Sequence, residues 1–153
     1  MLVLKAFEPS GNNYEATYTV ASADTNGTLA FTIDFTDSAG NAGTQVTSTT
    51  NSSSVTIDTT PPTLTELTVT SDYSNPSYAK TGNVVTFLFT ANDTLGATPV
   101  VTVTGATNAD TVTNIVGNEY KATYTVSSGD TNGALNFTID IQDSSGNSST
   151  STQ

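Results

Sequence analysis

Tyr14-Glu-Ala-Thr-Tyr-Thr-Val20 and its return as Tyr120-Lys-Ala-Thr-Tyr-Thr-Val126 decide the fold. In the first copy Tyr14, Ala16, Tyr18 and Val20 hold alternate positions, with Glu15, Thr17 and Thr19 between them. A period of two marks a strand with one buried face. The match runs further. Asp24-Thr-Asn-Gly27, Phe31-Thr-Ile-Asp34 and Asp37-Ser-Ala-Gly-Asn41 return as Asp130-Thr-Asn-Gly133, Phe137-Thr-Ile-Asp140 and Asp143-Ser-Ser-Gly-Asn147, all at the offset that separates Tyr14 from Tyr120. Self-similarity at one fixed offset is the signature of repeated structural units.

Working outward from this block, Leu29, Phe31, Ile33 and Phe35 form a second alternating row, so a second strand is expected to bury an aromatic and aliphatic face. The connection Ala21 to Thr28 contains Asn26-Gly27, a hairpin signal. It is too long for a two-residue hairpin, and a crossing between sheets fits as well. Leu2 to Phe7 reads as an opening strand and Glu8 to Asn13 as the turn after it. Gly43 to Asn51 has weak strand character, and Val55 to Asp58 is a short strand. Thr59-Thr-Pro-Pro62 then interrupts the pattern, because proline donates nothing to a ladder and holds the chain extended. This is the linker.

Beyond it, Leu64 to Thr70 alternates, and Val85, Phe87, Phe89 and Ala91 make the inward row of a long strand. Val101 and Val103, Val112 to Val116, Tyr120 to Val126 and Leu135 to Ile141 supply the rest. Short strands separated by turns, with no helical period anywhere, predict an all-β sandwich.

Val55-Thr-Ile-Asp-Thr-Thr-Pro-Pro-Thr-Leu64, Lys80-Thr-Gly-Asn-Val-Val-Thr-Phe-Leu-Phe89, Pro99-Val-Val-Thr-Val103, Tyr120-Lys-Ala-Thr-Tyr124 and Asp143-Ser-Ser-Gly-Asn147 together resemble the bacterial Ig-like repeats of large extracellular surface proteins and adhesins. The resemblance implies an Ig-like Greek-key β-sandwich in tandem and an extracellular or cell-surface location. It implies a non-catalytic spacer, stalk or adhesive module whose partners are neighbouring repeats; such modules also serve as ligand-binding tips and virion decorations. Residues 1–60 then form a partial repeat holding only the C-terminal strands, and residues 61–153 an Ig-like domain whose last strand is cut short. Aligned by the offset, the first copy has no counterpart of Leu64 to Ala106, and the second stops at the position of Thr47. Two expectations follow. Either the chain is a stretch of a longer array, or strand exchange with identical chains, as in a self-assembling filament, completes each sandwich.

Charge narrows the partners. The 153 residues carry three Lys and Arg against 14 Asp and Glu, a net charge of -11, with no His and no Cys. Displacing counterions from phosphates needs basic side chains, so nucleic acid is excluded as a partner. No run approaches the roughly 20 apolar residues of a membrane helix, so membrane insertion is not expected. Met1 to Phe7 is too brief for a signal peptide, and an export signal would lie outside this chain. Without His, no Ser-His-Asp triad exists. The carboxylate pairs Asp34 with Asp37 and Asp140 with Asp143 sit at strand ends with no apolar pocket implied, so no enzyme activity is expected. Carbohydrate or protein binding through end loops has only Tyr73 and Tyr78 as loop aromatics.

The remaining chemistry is calcium, a hard cation that takes Asp, Asn and backbone oxygens from loops. Connections in an Ig-type sandwich alternate between its two ends. Strand parity therefore gathers Asp58, Asn92, Asp93, Asp143 and Asn147 at one end of the complete domain, with Asp24 of the first copy facing it. The same residue types also make tight turns and cap their own backbone, a role they fill with or without an ion. Lys121 alternates outward, which argues against a Lys-Asn amide crosslink, and the Asn-x-Ser/Thr triplets are those expected by chance in so Ser- and Thr-rich a chain.

Overall fold

A computed structural model describes residues 5–10, 13–106 and 111–153, the first of these stretches by its backbone. The chain divides into two units, Met1–Thr59 and Thr60–Gln153. All regular elements among the described residues are strands, paired antiparallel throughout. Among the described residues, no helix is long and apolar enough to cross a membrane.

The second unit contains β5 (Leu64–Ser71), β6 (Val84–Ala91), β7 (Val100–Val103), β8 (Thr111–Val116), β9 (Glu119–Thr125), β10 (Phe137–Gln142) and β11 (Ser148–Thr152). One sheet has the order β5-β6-β9-β8 and the other β11-β10-β7. Along β6 the burial follows the sequence alternation: Val85, Phe87, Phe89 and Ala91 are buried, and the residues between them are half-buried. These side chains meet Tyr120, Ala122 and Tyr124 of β9 and the inward row of β7 and β10 in one core. The Phe87 and Phe137 rings touch edge to face at 4.9 Å, and Phe89 stacks on Tyr120 at 5.8 Å. Full burial of such a side chain contributes about 1.5–3 kcal/mol, so these rows hold the two sheets face to face. Thr takes many of the outward positions, where its branched Cβ suits a strand. Thr70 pairs with Thr86, Thr86 with Thr123, and Thr123 with Thr111 across all four strands of the larger sheet.

The first unit is much sparser. β1 (Lys5–Ser10) pairs with β2 (Asn13–Thr17), and β3 (Gly27–Thr28) pairs with β4 (Thr56–Ile57). Beyond these, the described residues of this unit form the isolated bridges Ile33 to Val46 and Thr36 to Ala42. Several expectations change here. The β1 ladder runs on to Ser10 opposite Asn13, so residues expected as a turn are strand; Leu2 to Leu4 of the expected opening strand lie outside the described residues. The strand expected over Tyr14 to Val20 ends at Thr17, and that over Leu29 to Phe35 is reduced to a bridge. Asn26-Gly27 does not turn a hairpin, because Gly27 instead faces Ile57 across a short ladder.

The two copies show why. Tyr14 is 65% exposed where its counterpart Tyr120 is 8%, and Ile33 is 47% exposed where Ile139 is 0%. In the second unit, Val85, Phe87, Phe89, Val101 and Val103 pack against that row. The first unit has no segment of matching sequence, and an alternating row with nothing to pack against gains little from regular pairing. The register differs as well. Gly43 bonds to Phe35 as the alignment with β11 requires, but Ile33 bridges Val46 where Ile139 pairs with Ser151, so the first unit carries one extra residue there.

Candidate functional site

Two local devices recur in both units, and both use residues singled out by the sequence. The first is the Asp-x-x-Gly-Asn turn after the repeated Phe-Thr-Ile-Asp strand. In the second unit one Asp143 oxygen accepts the backbone N–H groups of Ser145 and Asn147, each at 2.9 Å, and the other accepts the Asn147 side-chain amide at 3.0 Å. The backbone closes the same loop, Asp143 N–H donating to the Asn147 carbonyl. Asp37 repeats the arrangement with Ala39 and Asn41. A short acid can bond its own backbone a few residues on, which is why Asp starts this turn, and Gly146 at φ 94° supplies the left-handed step.

Asp143 is 2% exposed. Burial pushes its carboxyl upward, but the Asn147 amide and the backbone donors of the loop outweigh it and hold the group below its ordinary value. For Asp37 the Asn41 amide is the main cause of the same downward shift.

The second device joins a strand end to the loop after it. Tyr18 donates its hydroxyl to Asp24, six residues on, and Asp24 also accepts the Ala21 N–H at 2.7 Å. In the second unit Tyr124 donates to Asp130, which accepts the Ser127 N–H at 2.7 Å. The Ala21 N–H, then the Tyr18 hydroxyl, lowers the Asp24 carboxyl. Asp24, expected from the sequence as a cation ligand, is thus engaged in a corner that the loop's residue types alone do not announce. Its signal was present in the text: Tyr and Asp keep the same spacing in both copies.

The six predicted ligands are distributed as follows. Asp93 and Asp143 in the second unit bring carboxylate oxygens within 4.8 Å of one another. The loop after β6 is laced to the turn after β10, since Ser144 N–H donates to the Thr94 carbonyl and Gly96 N–H to the Gln142 carbonyl. Asp93 accepts the Thr94 N–H at 2.6 Å. Asn92 is committed elsewhere: its side-chain oxygen accepts the Thr63 N–H at 2.7 Å while its own N–H donates to the Thr63 carbonyl, so it clamps the entry to β5. The Asn147 amide serves the Asp143 turn. Asp58 belongs to the first unit, where it accepts the Asn26 amide at 2.9 Å, and Asp24 is held by Tyr18. Two hard carboxylates side by side in a loop environment are suited to a divalent cation.

Compared with protein-family models, with characterised proteins and with solved structures, the chain matches none.

Proposed function

We propose that the chain is a non-catalytic structural or adhesive module of an extracellular surface protein, built from tandem Ig-like Greek-key repeats. The observation that carries this reading is the strand order of the second unit. In chain order, β5-β6-β9-β8 against β11-β10-β7 has the same strand sequence as the ABED and CFG sheets of a constant-type Ig sandwich, which supports the reading. The tandem part of the reading is supported by the Tyr-Asp corner and the Asp-x-x-Gly-Asn turn, which recur in both units.

Calcium joins this proposal as a stiffening ion at Asp93 and Asp143, where two adjacent carboxylates would otherwise repel. A ligand that binds only the folded state raises stability by mass action. Melting in excess chelator and in millimolar calcium tests the ion: a higher melting temperature with calcium, lost in Asp93→Asn, is expected, and identical curves remove calcium from the reading. Force spectroscopy on the chain tests the mechanical role; a stalk module unfolds in a discrete high-force step, and a featureless extension counts against it.

A second reading is favoured by the exposed row of the first unit, Tyr14, Ile33 and Phe35. Strands of the β5 to β7 type, donated by an identical chain, would cover it as β6 and β7 cover Phe137 and Ile139. Light scattering decides this part. A folded species that stays monomeric at high concentration sinks strand exchange.

A further inference from the structure

The tetrapeptide Asp-Thr-Asn-Gly occurs twice, at Asp24 to Gly27 and at Asp130 to Gly133, and the two copies differ in how their Asn-Gly pair is held. The Asn26 amide is fixed at both ends: its Nδ2 donates to Asp58, and its oxygen accepts the Thr59 N–H and hydroxyl, each at 2.9 Å. Gly27 is a residue of β3, paired opposite Ile57. Asn132 is exposed and lies outside any strand, and among the described residues neither its side chain nor the Gly133 N–H has a hydrogen-bond partner. A Cβ built on Gly133 would meet nothing within 4 Å. The two glycines share a backbone shape, φ 130° and 144°, so the difference lies in the bonding around them.

We infer that Asn132 is a site of spontaneous deamidation and isoaspartate formation, and that the fold protects Asn26 from the same reaction. The Gly133 backbone nitrogen attacks the Asn132 side-chain carbonyl carbon and loses its proton. The bond from that carbon to Nδ2 breaks, ammonia leaves, and a five-membered succinimide remains. Water then opens the ring on either side, giving aspartate or isoaspartate; nothing is oxidised or reduced. Reaction requires the side chain to swing onto the following nitrogen, and glycine leaves that approach open because it has no Cβ. At Asn26 the same swing must first break the bonds to Asp58 and Thr59, and a hydrogen bond to a carboxylate is among the stronger ones. The product places one more negative charge in the loop after the Tyr124 to Asp130 corner and, as isoaspartate, adds a backbone atom there.

The test is peptide mapping of the intact chain aged at neutral pH, with the same ageing in concentrated urea as the reference. Each event raises the peptide mass by about 1 Da, and isoaspartate separates from aspartate by chromatography. In the folded chain the Asn132 peptide is expected to convert several-fold faster than the Asn26 peptide. In urea the two rates converge, because the local sequence is identical. Equal rates in the folded chain, faster conversion at Asn26, or an Asn132 site that is silent when folded but reactive in urea would each overturn the inference.

Discussion

Tyr124 donates its hydroxyl to Asp130 six residues downstream, and Tyr18 makes the same bond to Asp24 in the first unit. In the second unit the tyrosine ring is 3% exposed and part of the core, whereas its hydroxyl ties down the loop that leaves the sheet. One residue thus fixes both the packing of β9 and the path of the chain after it.

Tyr124→Phe keeps the ring and removes the bond. A hydrogen bond to a charged acceptor contributes about 1.5–3 kcal/mol, and Asp130 keeps the Ser127 N–H, so a loss of about 1–2 kcal/mol is expected. Urea denaturation of the variant reads this directly, and an unchanged midpoint would show that the corner contributes nothing. Tyr18→Phe is expected to cost less, because that corner lies in the more exposed unit.

Glycine gives a sharper contrast between the units. A Cβ at Gly96 would lie 2.5 Å from the Asp143 carbonyl oxygen and 2.9 Å from the Ser144 Cα, both backbone atoms of the turn that the buried Asp143 starts. Nothing there can yield without breaking the lacing of the two loops. Gly96→Ala is expected to cost about 1–3 kcal/mol. At Gly43 the nearest atoms the added Cβ would meet belong to the Phe35 ring, the far end of a side chain that is 53% exposed. Gly43→Ala should leave stability nearly unchanged; comparable melting losses in the two variants would contradict this account.

The alternation in β6, β9 and β10 was legible because each inward residue is covered by another row of the same chain, so local pattern and burial agree. The same alternation misleads at Leu29 to Phe35, where the pattern is equally clean but Ile33 and Phe35 stay exposed. Periodicity reports which face a strand would bury, and it is silent on whether anything lies opposite. For the candidate site, strand parity puts Asp93 and Asp143 at one end of the second unit, and their carboxylate oxygens lie within 4.8 Å of one another. It could not foresee that Asn92 spends its side chain on Thr63 or that Asp24 belongs to Tyr18, because turn and corner bonds compete for the same oxygens.

The acid limb of stability follows from the turns. Asp24, Asp37 and Asp143 all have carboxyls held below their ordinary value of 3.8 in the folded chain. Between the folded and unfolded values the unfolded state binds more protons, so the stabilisation is complete above the ordinary carboxyl range and is lost as pH falls through the lowered values. The melting temperature is expected to be level from neutral pH to about 5 and to drop below about pH 4. Asp143→Asn should lower the plateau and flatten the drop. A plateau that persists to the lowest pH would show that the turn carboxylates carry no such weight. Tyr18, whose hydroxyl is shifted upward by its bond to Asp24, acts at the other limb: its contribution is present below about pH 10 and is lost as pH rises through the raised value.

Ile33 and Ile139 occupy the same position of the repeated Phe-Thr-Ile-Asp strand, yet the first is 47% exposed and the second fully buried. Ile139→Asp places an unpaired charge in the core among Phe87, Val101 and Phe137, and the second unit should fail to fold, with loss of its cooperative transition. Ile33→Asp meets water and should leave the second unit's melting unchanged. If an identical chain covers the first unit's row, the same substitution also abolishes the concentration-dependent association of the parent chain, because the charge would then be buried on assembly. Light scattering of the parent and of Ile33→Asp separates these outcomes: association in both excludes that row as the contact, and a loss confined to the variant assigns the contact to it.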